Sequence, residues 1–135
     1  MYSMKEACTL VRMPYETLKF YCNEGLVPNV KRDVHNFRVF DDRDIAWIDG
    51  LSCLKRCGMG IAEMKEFLAL CLQGPASIPA REAILAQKRR ELQAKAHEIE
   101  ASIHYIDAKQ QFYADVLDGK IEYESNLLPQ KSAQR

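Results

Sequence analysis

Between Ala80 and Leu117 the sequence contains neither proline nor glycine, and Leu85, Leu92, Ile99, Ile106 and Tyr113 recur every seven residues. This predicts a single helix of nearly forty residues, extending roughly 57 Å at 1.5 Å per residue. Ile103, Val116 and Leu117 widen the apolar stripe, while Lys88, Arg89, Lys95 and Lys109 interrupt it. So long a rod cannot bury its stripe against the small domain that precedes it. Pairing with a second copy in a coiled coil is the parsimonious solution. The alternative is a hairpin folded back within one chain, and no turn signal marks where it would bend. Leu85, Leu92, Ile99, Ile103, Ile106, Tyr113 and Leu117 are the candidate homodimer interface.

The chain as a whole is too short for a large cofactor-binding or barrel enzyme. Its 135 residues, 47% hydrophobic and 28% charged, suit one compact domain plus an extension. The longest apolar run, Phe67 to Leu72, is six residues, against about 18–20 for a membrane span. The opening Met-Tyr-Ser-Met-Lys-Glu has no apolar signal segment. Five cysteines without a pairing rhythm argue against a secreted disulfide scaffold. The expectation is a reduced, cytoplasmic protein with no membrane partner. Nineteen basic and nineteen acidic residues cancel, and residues 1–40 hold an excess of only two positive charges, six against four. Charge alone leaves a solvated surface as an open reading.

Local signals divide the first eighty residues into short elements. Ser3 caps a helix carrying Met4, Ala7, Cys8 and Val11 on one stripe, and Pro14 opens a second helix that ends before Gly25. Two helices joined by about three residues form a helix-turn-helix candidate, although a generic helical hairpin has the same spacing. From Val30 to Phe40 the period shortens, and His35-Asn36 marks a turn between two extended segments: a small β wing. Asp41 or Asp42 opens a third helix that stops at Gly58, with Ala46, Gly50, Cys53 and Cys57 forming a seam of small residues. Gly60 begins a fourth, with Ile61, Met64, Phe67, Leu68 and Cys71 facing inward. The expected organisation is an all-α protein with a β wing: a winged helix-turn-helix domain over 1–74, a linker over 75–79, the dimerisation helix over 80–118 and a short tail over 119–135.

The stretch TLKFYCNEGLVP (Thr17 to Pro28), followed by HNFRVF (His35 to Phe40) and DDRDI (Asp41 to Ile45), resembles the MerR family of bacterial transcription regulators. The likeness extends over about residues 2–72 and rests on three segments agreeing in order and spacing. It implies DNA binding by Tyr15, Glu16, Thr17, Lys19, Phe20 and Tyr21 on the second helix and by Lys31, Arg32, Asn36 and Arg38 around the wing. Of the aromatic pair only Tyr21 offers a hydroxyl that could donate to a phosphate. Arg12 stands where the family has a turn glycine, and Cys22 replaces a glutamate. The resemblance also implies an antiparallel dimer on a pseudo-palindromic promoter, RNA polymerase as a partner, and activation by distorting DNA whose promoter elements lie too far apart.

The third-helix segment around Cys53 resembles the thiol- and aldehyde-responsive (AdhR/NmlR-like) subgroup, which implies Cys53 as the sensor thiol. A small buried hydrophobe is the alternative role for that residue. Residues 72–135 contain no cysteine, His97 and His104 make at most a weak pair, and no metal or cofactor is expected. No nucleophile–base pair suggests an enzyme. Two other functions stay open: a regulator that binds a non-covalent ligand at the dimer interface, and a helical architectural or protein-interaction module without sequence-specific DNA binding.

Overall fold

The computed structural model describes residues 1–129. In chain order the elements are β1 (Tyr2–Ser3), α1 (Met4–Val11), α2 (Tyr15–Asn23), β2 (Lys31–Arg32), β3 (Arg38–Phe40), α3 (Asp42–Arg56), α4 (Ile61–Leu72), a 3-10 turn (Pro75–Ser77) and α5 (Ile78–Leu117). The expected all-α fold with a β wing is the observed one. Residues 130–135 of the expected tail lie outside the described residues.

Reciprocal caps start two of the helices. The Ser3 hydroxyl accepts from the Glu6 N–H at 3.1 Å, and the Glu6 carboxylate accepts from the Ser3 N–H at 3.0 Å. Asp41 and Asp44 do the same for α3, at 2.8 and 3.0 Å. Such caps satisfy backbone donors that a helix start leaves unpaired, and each contributes on the order of 1 kcal/mol. The turn between α1 and α2 keeps a left-handed residue even though Arg12 occupies it, with φ 55° and ψ 47°. The Met13 N–H bonds back to the Cys8 carbonyl at 3.0 Å, so helix-terminating hydrogen bonds offset the strain of a side chain there.

The sheet has the order β1-β3-β2, antiparallel throughout, with Tyr2 opposite Phe40 and Lys31 opposite Val39. The two-residue strand β1 has no counterpart in the sequence reading. Phe40 is fully buried beside Ala7, Leu18, Leu26, Ile48 and Leu51, so the sheet and helices α1 to α3 share one core. Burying each such large apolar side chain contributes about 1.5–3 kcal/mol. Trp47 of α3 donates its indole N–H to the Leu26 carbonyl at 2.7 Å and ties down the segment after α2.

The linker expected over 75–79 is instead a helical corner. Ser77 is buried, its hydroxyl lies between the carbonyls of Leu70 and Gly74, and Arg81 donates to the same hydroxyl at 2.9 Å. Pro79 sits in the first turn of α5, where a missing N–H costs no helical hydrogen bond, so the long helix begins at Ile78 rather than Ala80. Lys88 bonds Glu63 of α4 at 2.5 Å and Glu91 at 3.3 Å. The first compact unit consequently runs from Met1 to Leu92, and a second begins at Gln93. Within the second unit, Ile99, Ile103, Ile106, Tyr113 and Leu117 are exposed, and Gly119 with φ +79° follows the end of α5. Leu85 and Leu92 are exposed in the first unit.

A polar knot joins the wing to α3. The Lys31 ammonium lies 2.9 Å from an Asp41 oxygen and 3.6 Å from Asp44, which is 4% exposed. Lys31, helped by the Asp44 backbone N–H, holds the Asp41 carboxyl down to about 2. A carboxyl whose native value lies below its ordinary one stabilises the fold above the ordinary value, and that contribution fades as pH falls through the native value. Replacing Asp41 by Asn keeps the cap and removes the charge. Thermal unfolding at neutral pH should show Asp41→Asn melting no more than about 4 °C below the wild type, the ceiling for an exposed pair. The gap should close between about pH 4 and pH 2; a gap independent of pH would deny the ion pair any role.

Candidate nucleic-acid interface

Helix α2 sorts its residues by face. Leu18 and Tyr21 enter the core, while Tyr15, Glu16, Lys19 and Phe20 are exposed and Thr17 is half-buried. The wing is a turn built on Asp33, whose carboxylate accepts the N–H groups of His35 at 2.9 Å and Phe37 at 3.0 Å. Asn36 takes φ +65°, a left-handed conformation that Asn tolerates better than most residues. Arg32 then donates to the Asn36 carbonyl at 2.8 Å, and Arg38 donates to the Asn23 side-chain oxygen at 2.6 Å.

These braces bring α2 and the wing around one groove of about 410 Å³, lined by Tyr15, Arg32, Asn36, Phe37 and Arg38. Lys5, from the first turn of α1, lines it too. Sequence reasoning passed over Lys5 because its neighbours in space come from other elements. On the other side of α2, Glu16, Thr17, Phe20 and Tyr21 line a second groove of about 400 Å³ with Lys55 at the end of α3, Gly60, and Ile61 at the start of α4. Lys19 is exposed and lines neither.

Two of the expected contact residues stand apart from the first groove. Lys31 alternates with Arg32 along the strand and so points to the opposite face. There it lines a separate depression with Asp41 and Asp44, which neutralise it. Tyr21 is 2% exposed, and its buried hydroxyl has no hydrogen-bond partner. Desolvation raises the Tyr21 phenol above its ordinary range, and the hydroxyl is buried although the residue lines the second groove.

The small-residue seam of α3 mixes exposed and half-buried positions. Ala46 and Cys53 are exposed, Gly50 and Cys57 half-buried, and a side chain at Gly50 would meet nothing within 4 Å. Cys53 is the exposed thiol of the five, and Arg56 donates to its sulfur at 3.2 Å. Cys8 and Cys22 are half-buried, and burial pushes both thiols up, opposed at Cys22 by the charge of Arg38.

The pattern described as MerR HTH family regulatory protein matches residues 2–71, and a second, described as MerR DNA binding, matches residues 51–109. The chain belongs to the MerR family. It is a DNA-binding transcription regulator, and its relatives are regulators rather than enzymes. An uncharacterized HTH-type transcriptional regulator of Haemophilus influenzae is 30% identical over 112 residues, covering 83% of each chain. The HTH-type transcriptional regulator AdhR of Bacillus subtilis is 37% identical over 76 residues, 56% of this chain and 54% of AdhR. Among solved structures, HiNmlR, a MerR family regulator lacking the sensor domain and bound to promoter DNA, superposes with a TM-score of 0.73 at 29% identity, covering 87% of this chain and 93% of that one. A MerR family regulator from Listeria monocytogenes gives 0.73 at 26% identity, covering 87% and 86%.

The position of Tyr21 in this MerR-family domain makes a separable prediction. Tyr21→Phe removes a buried polar group that has no partner, so stability should be unchanged or raised by about 1 kcal/mol. Affinity for DNA should stay within twofold of the wild type. A tenfold loss of affinity with unchanged stability would return the hydroxyl to the DNA contact.

Proposed function

We propose that this protein acts as a homodimer that grips a pseudo-palindromic promoter, distorts an over-long spacer to activate transcription by RNA polymerase, and responds to reactive aldehydes or related electrophiles through Cys53. The observation that carries the DNA reading is the groove in which Tyr15 of α2 stands beside Arg32, Asn36 and Arg38 of the wing and Lys5 of α1. A helix side chain able to enter a major groove is thereby flanked by cations spaced to meet the phosphates beside it. The promoter-bound state of HiNmlR supports the same mode for this chain. Dimerisation is supported by the unpartnered stripe Leu85, Leu92, Ile99, Ile103, Ile106, Tyr113 and Leu117 along α5. Distortion costs on the order of a few kcal/mol, which wing contacts formed only on deformed DNA can offset.

The sensor reading stands on the exposure of Cys53 and on the guanidinium of Arg56 at its sulfur. Thiolate addition to an aldehyde carbonyl forms a carbon–sulfur bond, and the carbonyl oxygen takes up a proton, giving a hemithioacetal. The thiolate form of a cysteine is the nucleophile in that step.

Gel-shift titration on the DNA flanking the gene tests the first part. Raising salt from 50 to 200 mM should weaken binding on the order of a hundredfold or more, through counterion release. A salt slope near zero would favour a protein-interaction module. For the sensor, transcription is measured with formaldehyde or methylglyoxal in cells carrying wild type or Cys53→Ser. Induction should disappear in the variant, and unchanged induction would eliminate Cys53 as the switch.

A further inference from the structure

The ion pairs among the described residues are all made by lysines: Lys31, Lys65 and Lys88. Arginines are treated differently. Arg32 bonds the Asn36 carbonyl, Arg38 the Asn23 amide oxygen, Arg81 the Ser77 hydroxyl and Gly74 carbonyl, and Arg90 the Gln87 amide oxygen. Each acceptor is neutral, so each guanidinium is held in place and keeps its full charge.

At the wing this distinction bears on binding. Asn23 is the exposed last residue of α2, and Arg38 opens β3, fifteen positions later. Their 2.6 Å hydrogen bond joins the end of the recognition helix to the wing by side chains alone. We infer that Asn23 is the positioning residue of the wing arginine, fixing the Arg38 guanidinium beside the groove while leaving its charge free for a DNA phosphate. A carboxylate at position 23 would hold the fork equally well and cancel the charge. An alanine would leave the charge and release the side chain. With Asn23, one of five N–H donors is used and the others remain for the phosphate. The rotamer entropy that binding would otherwise consume is already lost in the free protein. This inference rests on the proposed contact between Arg38 and DNA.

The test uses the full chain and a labelled duplex recovered as the tightest binder from a random pool, with affinity measured across salt concentrations. Arg38→Ala should lower the salt slope by about one per protomer, about two for a dimer. Asn23→Asp should lower the slope by the same amount. Asn23→Ala should keep the wild-type slope and weaken binding roughly three- to tenfold, the cost of ordering a free arginine. Adding Asn23→Asp to Arg38→Ala should change nothing further. An equal loss from Asn23→Asp in both backgrounds would mean general repulsion and would overturn the positioning role. So would wild-type behaviour of both Asn23 variants alongside a lowered slope in Arg38→Ala, which would leave the DNA contact standing. A wild-type slope in Arg38→Ala itself would remove the contact and the inference together.

Discussion

A ribbon of two strands, two and three residues long, has too few hydrogen bonds and too little buried surface to hold a shape in water. The wing is therefore fixed from outside itself, through β3. On one edge β3 pairs with β1, whose Ser3 also caps α1; on the other it pairs with β2. Phe40, at its end, is fully buried, and the next residue is the N-cap of α3. One three-residue strand thus sets the wing against α1, α2 and α3 together. If Phe40 left the core, Arg32 and Arg38 would lose their placement beside Tyr15 even with every surface residue intact.

Much of this was readable in the sequence because it rests on local rules. Ser3, Asp41, Gly58 and Gly60 mark helix ends through groups that satisfy or free the backbone within a few residues, and they were placed to within about one position. The turn at Asn36 was readable for the same reason: its left-handed angle belongs to the residue. What escaped was non-local. Tyr2–Ser3 has no strand character of its own and is extended because β3 offers an open edge. Pro79 looked like a break, yet a proline in a first turn is a beginning, and the buried Ser77 that makes the corner acts through carbonyls up to seven residues away. Tyr21 and Phe20 are adjacent aromatics, and only the packed core decides which turns inward.

Charge shows why counting was uninformative. Nineteen positive and nineteen negative residues sum to zero, which gives no reason to expect a nucleic-acid surface. The acidic residues near the wing are already engaged: Asp33 holds the turn, and Asp41 and Asp44 cap α3 and hold Lys31. The charged lining of the groove is then Lys5, Arg32 and Arg38 against the single carboxylate of Asp33. A neutral chain can carry a basic groove when three cations gather around one carboxylate there and other carboxylates, Asp41 and Asp44, are paired with Lys31 on the opposite face. This arrangement also limits long-range attraction for DNA generally, because at distances beyond the Debye length of roughly 8 Å the local excess is screened. Selectivity then has to come from contacts at close range.

The exposure of Cys53 changes how a thiol switch could work here. On a closed seam an adduct would act as a wedge, and the energy would come from steric conflict. Cys53 is exposed, so a small adduct there need not enter the packed core of its own domain. Two physical routes remain for the proposed sensor. The first is electrostatic: converting the thiol to a thioether-type adduct weakens the acceptor to which Arg56 donates and frees that guanidinium to move. The second is assembly: if the open face of α3 is covered by the second copy, the adduct acts across that boundary and not inside one chain. The routes separate by what replaces Arg56. An uncharged, similar-sized residue there abolishes the first and leaves the second intact, because the second depends on the volume added at sulfur and not on the partner of its lone pairs.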